Sequence, residues 1–150
     1  SDRNLMVMAG LRTPTICIVI GEGGSGGALG IGVGDRVLML EHAVYTVAAP
    51  EAAASIIWRD NAFAPDAAQA MKITAPELLE LGIVDGIIPE PLGGAHRDYD
   101  AVAANVKAAI LQELATLRAL PTQTLLDNRY QRFRVIGLQG ITQVVGAAKK

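Results

Sequence analysis

Hydrophobic positions along the chain fall into short apolar runs and into longer stretches with helical spacing. Apolar runs rich in β-branched residues predict strands, at residues 15–20, 36–40, 44–48 and 83–89. The first run, TICIVI, is apolar on both faces, which is typical of a buried strand. Because helical stretches separate the strands, the pattern predicts an α/β protein.

The helical stretches are predicted by residues typical of helix ends as well as by the spacing of their apolar positions. Pro14 ends a first helix, and Pro50 suits the first turn of another. Thr74 and Glu77 form a capping box at the start of a third. The predicted helices cover residues 4–11, 26–34, 50–58, 65–71, 75–81, 99–120 and 122–136.

The composition bounds the class of protein. The 150 residues are 51% hydrophobic and 19% charged, with a net charge of −2. This suits one globular core and gives no long-range attraction for nucleic acid or an anionic membrane. No segment has the roughly 18 apolar residues that a membrane span needs, and the single Cys17 excludes an intramolecular disulfide. We expect a soluble intracellular protein with a core of residues 1–121 and, after Pro121, a helical extension of residues 122–150.

The stretch IVIGEGGSGGALGIGVG, residues 18–34, carries the main candidate chemistry. Gly21, Gly23 and Gly26 match the GxGxxG pattern of dinucleotide-binding folds. Further glycines interrupt the long helix that such a fold requires, and its additional βα units are missing. A P-loop is excluded because no Gly-Lys-Ser/Thr follows, and one cysteine and two histidines give no metal-ligand cluster.

The same stretch matches the GxSxG pattern of hydrolases around Ser25. Asp85 and His96 follow in the order that a serine hydrolase needs. A glycine-rich run produces this pattern easily by chance, and a solvated histidine is the simpler expectation for the polar loop around His96. The hydrolase hypothesis stays open at this point.

A third interpretation relies on the backbone alone. A strand that ends in glycines and leads into a helix leaves N–H groups pointing outward, where a helix N-terminus favours negative charge. Without side chains, a ligand can approach these donors closely, so the segment can act as an oxyanion hole. The alternative is a glycine helix that packs tightly and binds nothing.

Three stretches carry a resemblance to a known family: PTICIVIGEGGSGGALGIGVGD, YTVAAPEAAASIIW and LGIVDGIIPEPLGGAHRD. Their order and spacing resemble the alpha subunits of bacterial-type acetyl-CoA carboxylase carboxyltransferase. The tract KITAPELLELGIVDGIIPEP is also similar to the wider crotonase superfamily. The resemblance covers residues 4–136, the C-terminal half of such a subunit. It implies an α/β crotonase-like fold, a spiral of ββα units with outer helices.

The resemblance also implies a reaction and its partners. Carboxybiotin, held on a biotin carboxyl carrier protein, would give its carboxyl group to acetyl-CoA, yielding malonyl-CoA for fatty acid synthesis in an ATP-binding complex. A zinc-bearing β subunit would complete an α2β2 heterotetramer in the cytoplasm or plastid stroma, with no metal in this chain. The alternatives are a stand-alone acyl-CoA hydratase or isomerase, for which Glu22 and Glu51 are the nearest acids, and a non-catalytic assembly module.

The site residues that the resemblance implies lie in the glycine stretch and at the start of helix 50–58. The backbone amides of Gly27 and Ala28 would stabilise the negative oxygens. The carboxybiotin or thioester pocket would be formed by Gly23, Gly24, Ser25, Gly26, Gly30, Ala52 and Ala53. Arg129, Arg132 and Arg134 are candidates for an interface patch or a CoA phosphate contact, with a solvated helix face as the simpler expectation.

Overall fold

The fold is built on a repeated unit of two short strands and a helix. The computed structural model describes residues 2–138. After a first helix, α1 (Asp2–Ala9), the chain forms β1 (Ile16–Val19) and β2 (Glu22–Gly24) and enters α2 (Ser25–Ile31). The glycine stretch therefore supplies a strand as well as a helix.

The second unit repeats this order and leads to a third layer. Strands β3 (Arg36–Leu40) and β4 (Val44–Thr46) precede α3 (Pro50–Trp58), and β5 (Gly86–Ile88) follows further along the chain. The first strands of successive units form a parallel sheet in the order β1-β3-β5, and β2 pairs in parallel with β4. Stacking each unit on the previous one in this way produces the predicted spiral.

The other helices surround these strands. No helix among residues 2–138 is both long enough and apolar enough to cross a bilayer. They are α4 (Ala64–Met71), α5 (Ala75–Glu80), α6 (Tyr99–Arg118) and α7 (Thr122–Val135), with short 3-10 turns at Asn61–Phe63 and Ala95–Arg97.

The main core lies between the three-stranded sheet and its covering helices. Met39 of β3 is fully buried, and Leu78 of α5 packs in the same cluster. Val102 and Val106 of α6 pack against it from outside, on the apolar stripe that helical spacing predicts. The core therefore joins elements that lie between residues 16 and 109 of the chain.

The structure confirms the predicted α/β class and most element positions, with three corrections at the strands. Strand β1 is mostly half-buried rather than buried on both faces. The predicted strand at 44–48 ends at Thr46, whose hydroxyl donates to the Ala48 carbonyl. The strand predicted at 83–89 begins only at Gly86, because the Asp85 carboxylate accepts the Val37 N–H at 2.7 Å. Residues 139–150 of the predicted extension lie outside the described residues.

The arginines of α7 overturn the expectation of a solvated helix face. The Arg129 side chain is only 2% exposed and pairs with Asp35. The Arg132 side chain is 11% exposed and pairs with Asp85. Arg134 alone keeps an exposed position, with its guanidinium over the Tyr130 ring. The helix thus turns two of its three arginines toward the protein, since each finds a carboxylate there.

Candidate active site

The start of α2 has an unusual backbone geometry. Gly24 is the N-cap residue, and Ser25 has a φ of 58°. A positive φ is uncommon for a residue with a side chain, and such strain clusters at functional sites. Ser25 is nevertheless exposed, so its position is set by the backbone turn rather than by packing of its side chain.

The glycines of this region divide into two groups. An added Cβ at Gly32 would lie 2.7 Å from the Tyr45 hydroxyl, and one at Gly34 would lie 2.9 Å from the Thr15 carbonyl oxygen. These glycines are required for close packing. In contrast, a Cβ at Gly26 or Gly27 would meet nothing within 4 Å. The absence of side chains at the helix start therefore leaves open space, which a ligand can occupy.

Helix geometry shows which amides face that space without an intrahelical acceptor. The N–H groups of Ser25, Gly26 and Gly27 precede the first intrahelical hydrogen bond. Ala28 is the fourth residue after the N-cap, so the Gly24 carbonyl is the expected acceptor for its N–H. Positive charge from the helix dipole adds to these donors, although α2 has only seven residues.

A pocket of about 720 Å³ lies beside the start of α2. Its walls are largely apolar, and Lys72 and Arg132 are its two cationic lining residues among the described part of the chain. This combination suits a ligand with an apolar body and a negatively charged group. The lining residues are Ser25, Gly26, Leu29, Gly32, Val37, Tyr45, Thr46, Val47, Met71, Lys72, Leu78, Ile83, Arg132, Phe133 and Ile136.

Ion pairs set the charges around this pocket. Arg132 Nη2 lies 3.0 Å from Asp85 Oδ2, and the same group donates to the Ile83 carbonyl at 2.7 Å. Lys72 Nζ lies 3.8 Å from Glu77 Oε1 and stays 54% exposed. Burial raises the pKa of Tyr45 above its ordinary value of 10.0, so its hydroxyl remains a neutral donor and acceptor.

A smaller cavity of about 260 Å³ also borders α2 and shares Gly32, Val37 and Tyr45 with the larger pocket. Cys17, Gly23 and Ala28 are among its lining residues. Burial raises the pKa of the Cys17 thiol, and the thiol donates to the Ile31 carbonyl at 2.9 Å. A buried neutral thiol that is already hydrogen-bonded is an unreactive group.

The structure brings only part of the predicted site together. Ser25 and Gly26 line the larger pocket, whereas Gly23 and Ala28 line the smaller cavity. Gly24, Gly27 and Gly30 line neither cavity, although Gly24 is on β2 and the other two are on α2. Ala52 and Ala53 belong to α3 and line neither cavity, and Ala53 is buried. Their predicted roles therefore remain predictions.

The hydrolase and dinucleotide hypotheses gain no geometric support. Helix α2 has only seven residues, whereas a dinucleotide-binding fold requires a full-length helix after the glycine loop. Asp85 is bound to Arg132 and to the Val37 N–H, and His96 lies in an exposed 3-10 turn. Neither residue lines the pocket that contains Ser25. No cluster of three potential metal ligands occurs within residues 2–138.

Sequence reasoning missed the residues that complete the pocket from distant elements. Tyr45, Lys72 and Phe133 are brought to Ser25 by the stacking of units and by α7. None of the three belongs to a catalytic or binding motif that the sequence analysis identified. Lys72 is the C-cap residue of α4 and has a φ of 53°. Glycine is the usual sequence signal for such a backbone conformation, and this position has none.

The stacked ββα units and the pocket beside α2 define a crotonase-like α/β fold, which confirms the predicted class. The chain shares this fold with a Pseudomonas malonate decarboxylase hetero-tetramer in complex with coenzyme A, with a TM-score of 0.69 and 18% identity over 95% of this chain and 57% of that one. Transcarboxylase 12S has a TM-score of 0.56 and 23% identity, over 77% and 22%. At these identities the likeness concerns the fold alone.

Sequence similarity identifies the family more closely. The chain belongs to the acetyl co-enzyme A carboxylase carboxyltransferase-like family, whose model matches residues 2–137. It is 58% identical over 135 residues to the acetyl-coenzyme A carboxylase carboxyl transferase subunit alpha of Pseudoalteromonas atlantica, covering 90% of this chain and 42% of the relative. The subunit of the same name from Vibrio cholerae gives the same identity and coverage. The chain therefore spans less than half the length of these relatives.

Proposed function

We propose that this chain is part of a subunit that transfers a carboxyl group from carboxybiotin to acetyl-CoA, giving malonyl-CoA for fatty acid synthesis. Family membership supports this proposal, as does the name shared by relatives that are 58% identical. The observation that carries it is the start of α2, where free backbone donors and side-chain-free positions adjoin an apolar pocket of about 720 Å³. This arrangement suits negative oxygens on an otherwise apolar ligand.

The chain would contribute donors rather than an acid or a base. Carboxybiotin supplies the carboxyl group when bound. The amides of Gly27 and Ala28 are the proposed oxyanion donors. The Gly27 N–H has no intrahelical acceptor, whereas the Ala28 N–H would share its hydrogen with the expected acceptor, the Gly24 carbonyl. Gly26, which lines the pocket, adds its amide as a third candidate. Fixed donors aimed at a developing negative charge stabilise the transition state by roughly 2.7–4 kcal/mol each.

The residues present fit a ligand with an uncharged, largely apolar body and a negative group. Gly26 leaves room for close approach, and Leu29 and Phe133 offer apolar contacts within the pocket. Ser25 would fix the turn, while Gly23, Gly24 and Gly30 would keep the backbone close and the entrance wide. Ala52 and Ala53 would contribute a second helix start.

The same family membership supports a proposal for the assembly. We propose a zinc-bearing β subunit and a biotin carboxyl carrier protein as partners in an α2β2 complex in the cytoplasm or plastid stroma, with no role for nucleic acid or membrane. Within the chain, residues 1–121 would form the carboxyltransferase core and residues 122–150 an extension. No metal would be bound by this chain itself.

The proposal is tested by the biocytin-dependent conversion of malonyl-CoA to acetyl-CoA in the complete subunit, assembled with its β partner. We expect Gly27→Pro to lower turnover by about 100- to 1,000-fold, because it removes one oxyanion donor. Proline is tolerated in the first helical turn, where its missing N–H has no intrahelical acceptor. The preceding residue is Gly26, whose lack of a Cβ reduces the restriction that proline imposes on it.

Two matched variants separate the amide from its surroundings. Gly27→Ala keeps the N–H in open space and should retain turnover. Ser25→Ala removes the hydroxyl and should also retain turnover. Equal, near-total losses from Ser25→Ala and Gly27→Pro would indicate a serine nucleophile instead. Hydration of an enoyl-CoA without turnover of malonyl-CoA would favour the hydratase alternative.

A further inference from the structure

The pocket beside α2 is closed on one side by a helix that has little apolar surface. Leu125 is the only apolar residue of α7 that is buried, alongside the buried guanidinium of Arg129. One turn further along, Arg132 and Phe133 line the pocket. The helix therefore reaches the site, but apolar packing alone gives it little attachment to the rest of the protein.

Arg129 supplies that attachment. Its Nε donates to Asp35 Oδ1 at 2.9 Å and its Nη2 to Asp35 Oδ2 at 2.8 Å. The remaining N–H groups donate to main-chain carbonyls in the last turn of α1 and in the segment between α1 and β1. These acceptors are Met8, Ala9 and Leu11, bound by Nη1, and Thr13, bound by Nη2. Each nitrogen of the guanidinium thus has a partner, as a buried arginine requires.

These bonds join three parts of the chain at one side chain. Asp35 also accepts the Thr15 N–H at 2.7 Å, which fixes its carboxylate before β3. The Met8 and Ala9 carbonyls belong to the last turn of α1, where carbonyl groups lack helical partners and a cation is favourable. Arg129 therefore ties α7 to the end of α1 and to the residue that leads into β3.

We propose that Arg129 is a positioning residue, which holds α7 so that Arg132 and Phe133 stand correctly on the pocket beside α2. Residues three and four positions apart lie on one face of a helix and move together. Displacement of Arg129 would therefore displace both pocket residues. The pairing of Arg132 with Asp85 fixes the side chain locally, whereas Arg129 fixes the helix that carries it.

The test uses the complete subunit in its assembled complex, with 4-fluorophenylalanine placed at position 133 as a ¹⁹F reporter. Arg129→Lys keeps the charge but loses the planar fork that binds both Asp35 oxygens and the carbonyls. We expect the ¹⁹F resonance to shift or broaden. We also expect KM for biocytin, whose ring system is proposed to occupy the pocket, to rise about tenfold with little change in kcat. Arg134→Lys, the same change at an exposed position of α7, should alter neither quantity.

A second pair of variants separates positioning from general stability. Leu125→Ala weakens the packing of α7 without touching the guanidinium. Asp35→Asn removes the charge and replaces one of the two acceptor oxygens with an NH2 donor, while Arg129 keeps its bonds to the main-chain carbonyls. We expect Asp35→Asn to give a smaller ¹⁹F shift than Arg129→Lys, and Leu125→Ala to lower the melting temperature with little ¹⁹F change.

Three results would overturn the positioning role. They are an unchanged ¹⁹F spectrum in Arg129→Lys, an equal shift in Leu125→Ala at matched stability, and failure of both Arg129→Lys and Asp35→Asn to assemble while Leu125→Ala assembles. The effect on KM rests on the proposed function, but the ¹⁹F spectrum is read without substrate. A wild-type complex without turnover would therefore refute the function and leave the positioning role to be decided by the spectrum.

Discussion

Gly34→Ala offers a test of the close packing at the end of the glycine stretch. Gly34 is buried between β1 and β3, and an added Cβ would lie 2.7 Å from Cys17 Sγ and 2.9 Å from the Thr15 carbonyl oxygen. Real Cβ atoms do not tolerate such distances, so one of the neighbours must move. The Thr15 oxygen accepts the N–H groups of Asp35 at 2.8 Å and Arg36 at 3.3 Å, and moving it would strain both bonds.

The expected cost follows from this constraint. Overpacking a core costs about 1–3 kcal/mol, and a backbone neighbour places Gly34→Ala near the upper end of that range. For a chain of this length, about 3 kcal/mol corresponds to a fall in melting temperature of about 6–12 °C. Thermal unfolding followed by circular dichroism measures this shift.

Two controls make the result specific to the packing. Gly27→Ala places the same methyl group in open space, so it should be neutral or stabilise by at most about 1 kcal/mol through helix propensity. In a Cys17→Ala background, the contact with Sγ is gone but that with Thr15 remains, so only part of the Gly34→Ala cost should be recovered. Equal melting temperatures for Gly34→Ala and Gly27→Ala would refute the reasoning.

Three further predictions concern strain, protonation and reactivity. Ser25→Gly should stabilise the protein by about 1 kcal/mol in denaturant unfolding, because glycine adopts the φ of 58° without strain; unchanged stability would argue against strain. Hydrogen bonds from Thr74 lower the pKa of Glu77 below its ordinary value of 4.5, so the stability advantage over Glu77→Gln should be present above pH 4.5 and shrink as the pH falls further; a constant difference would contradict this. Burial raises the pKa of Cys17, so iodoacetamide at neutral pH should alkylate it only after unfolding, as mass spectrometry would detect; rapid labelling of the native protein would contradict this.

Local signals predicted much of the fold. The helix predicted at residues 50–58, which begins at Pro50, matches the observed bounds of α3, Pro50–Trp58. The capping box of Thr74 and Glu77 is present in the structure, and the apolar stripe of α6 faces the core. These features depend on residues close together in the chain, which is why sequence patterns contain them.

The sequence was less informative about β2 and about the limits of the strands. Glu22, Gly23 and Gly24 have low intrinsic preference for strand structure, yet they pair with Val44–Thr46 because the stacked units place the two segments side by side. The start of the strand predicted at 83–89 likewise depends on the Asp85 side chain, which accepts a hydrogen bond from Val37 of β3. Tertiary contacts decided both cases.

The candidate site was predictable only where its residues share one segment. Ser25 and Gly26 belong to the glycine stretch and lie on the pocket. The same stretch, however, mixes glycines that leave open space with glycines that allow packing, and only the neighbours in space distinguish Gly27 from Gly34. Lys72 at the end of α4 and Phe133 of α7 are brought to the pocket by the fold. Their spacing from Ser25 along the chain therefore does not predict that they line it.

Helix α7 shows why charge is a poor guide to exposure when its partners are distant. Three arginines on a polar helix predict a solvated face, since an isolated buried charge is costly. That cost disappears for Arg129 because Asp35, 94 positions earlier, and the carbonyls after α1 satisfy its donors. The hydropathy pattern of the helix contains no information about acceptors that lie far away in the sequence. A buried guanidinium restricts the orientation of its helix as well as stabilising it, because its planar set of donors forms good hydrogen bonds in only a few orientations. The same bonds that place Arg129 in the core therefore determine where α7 meets the pocket.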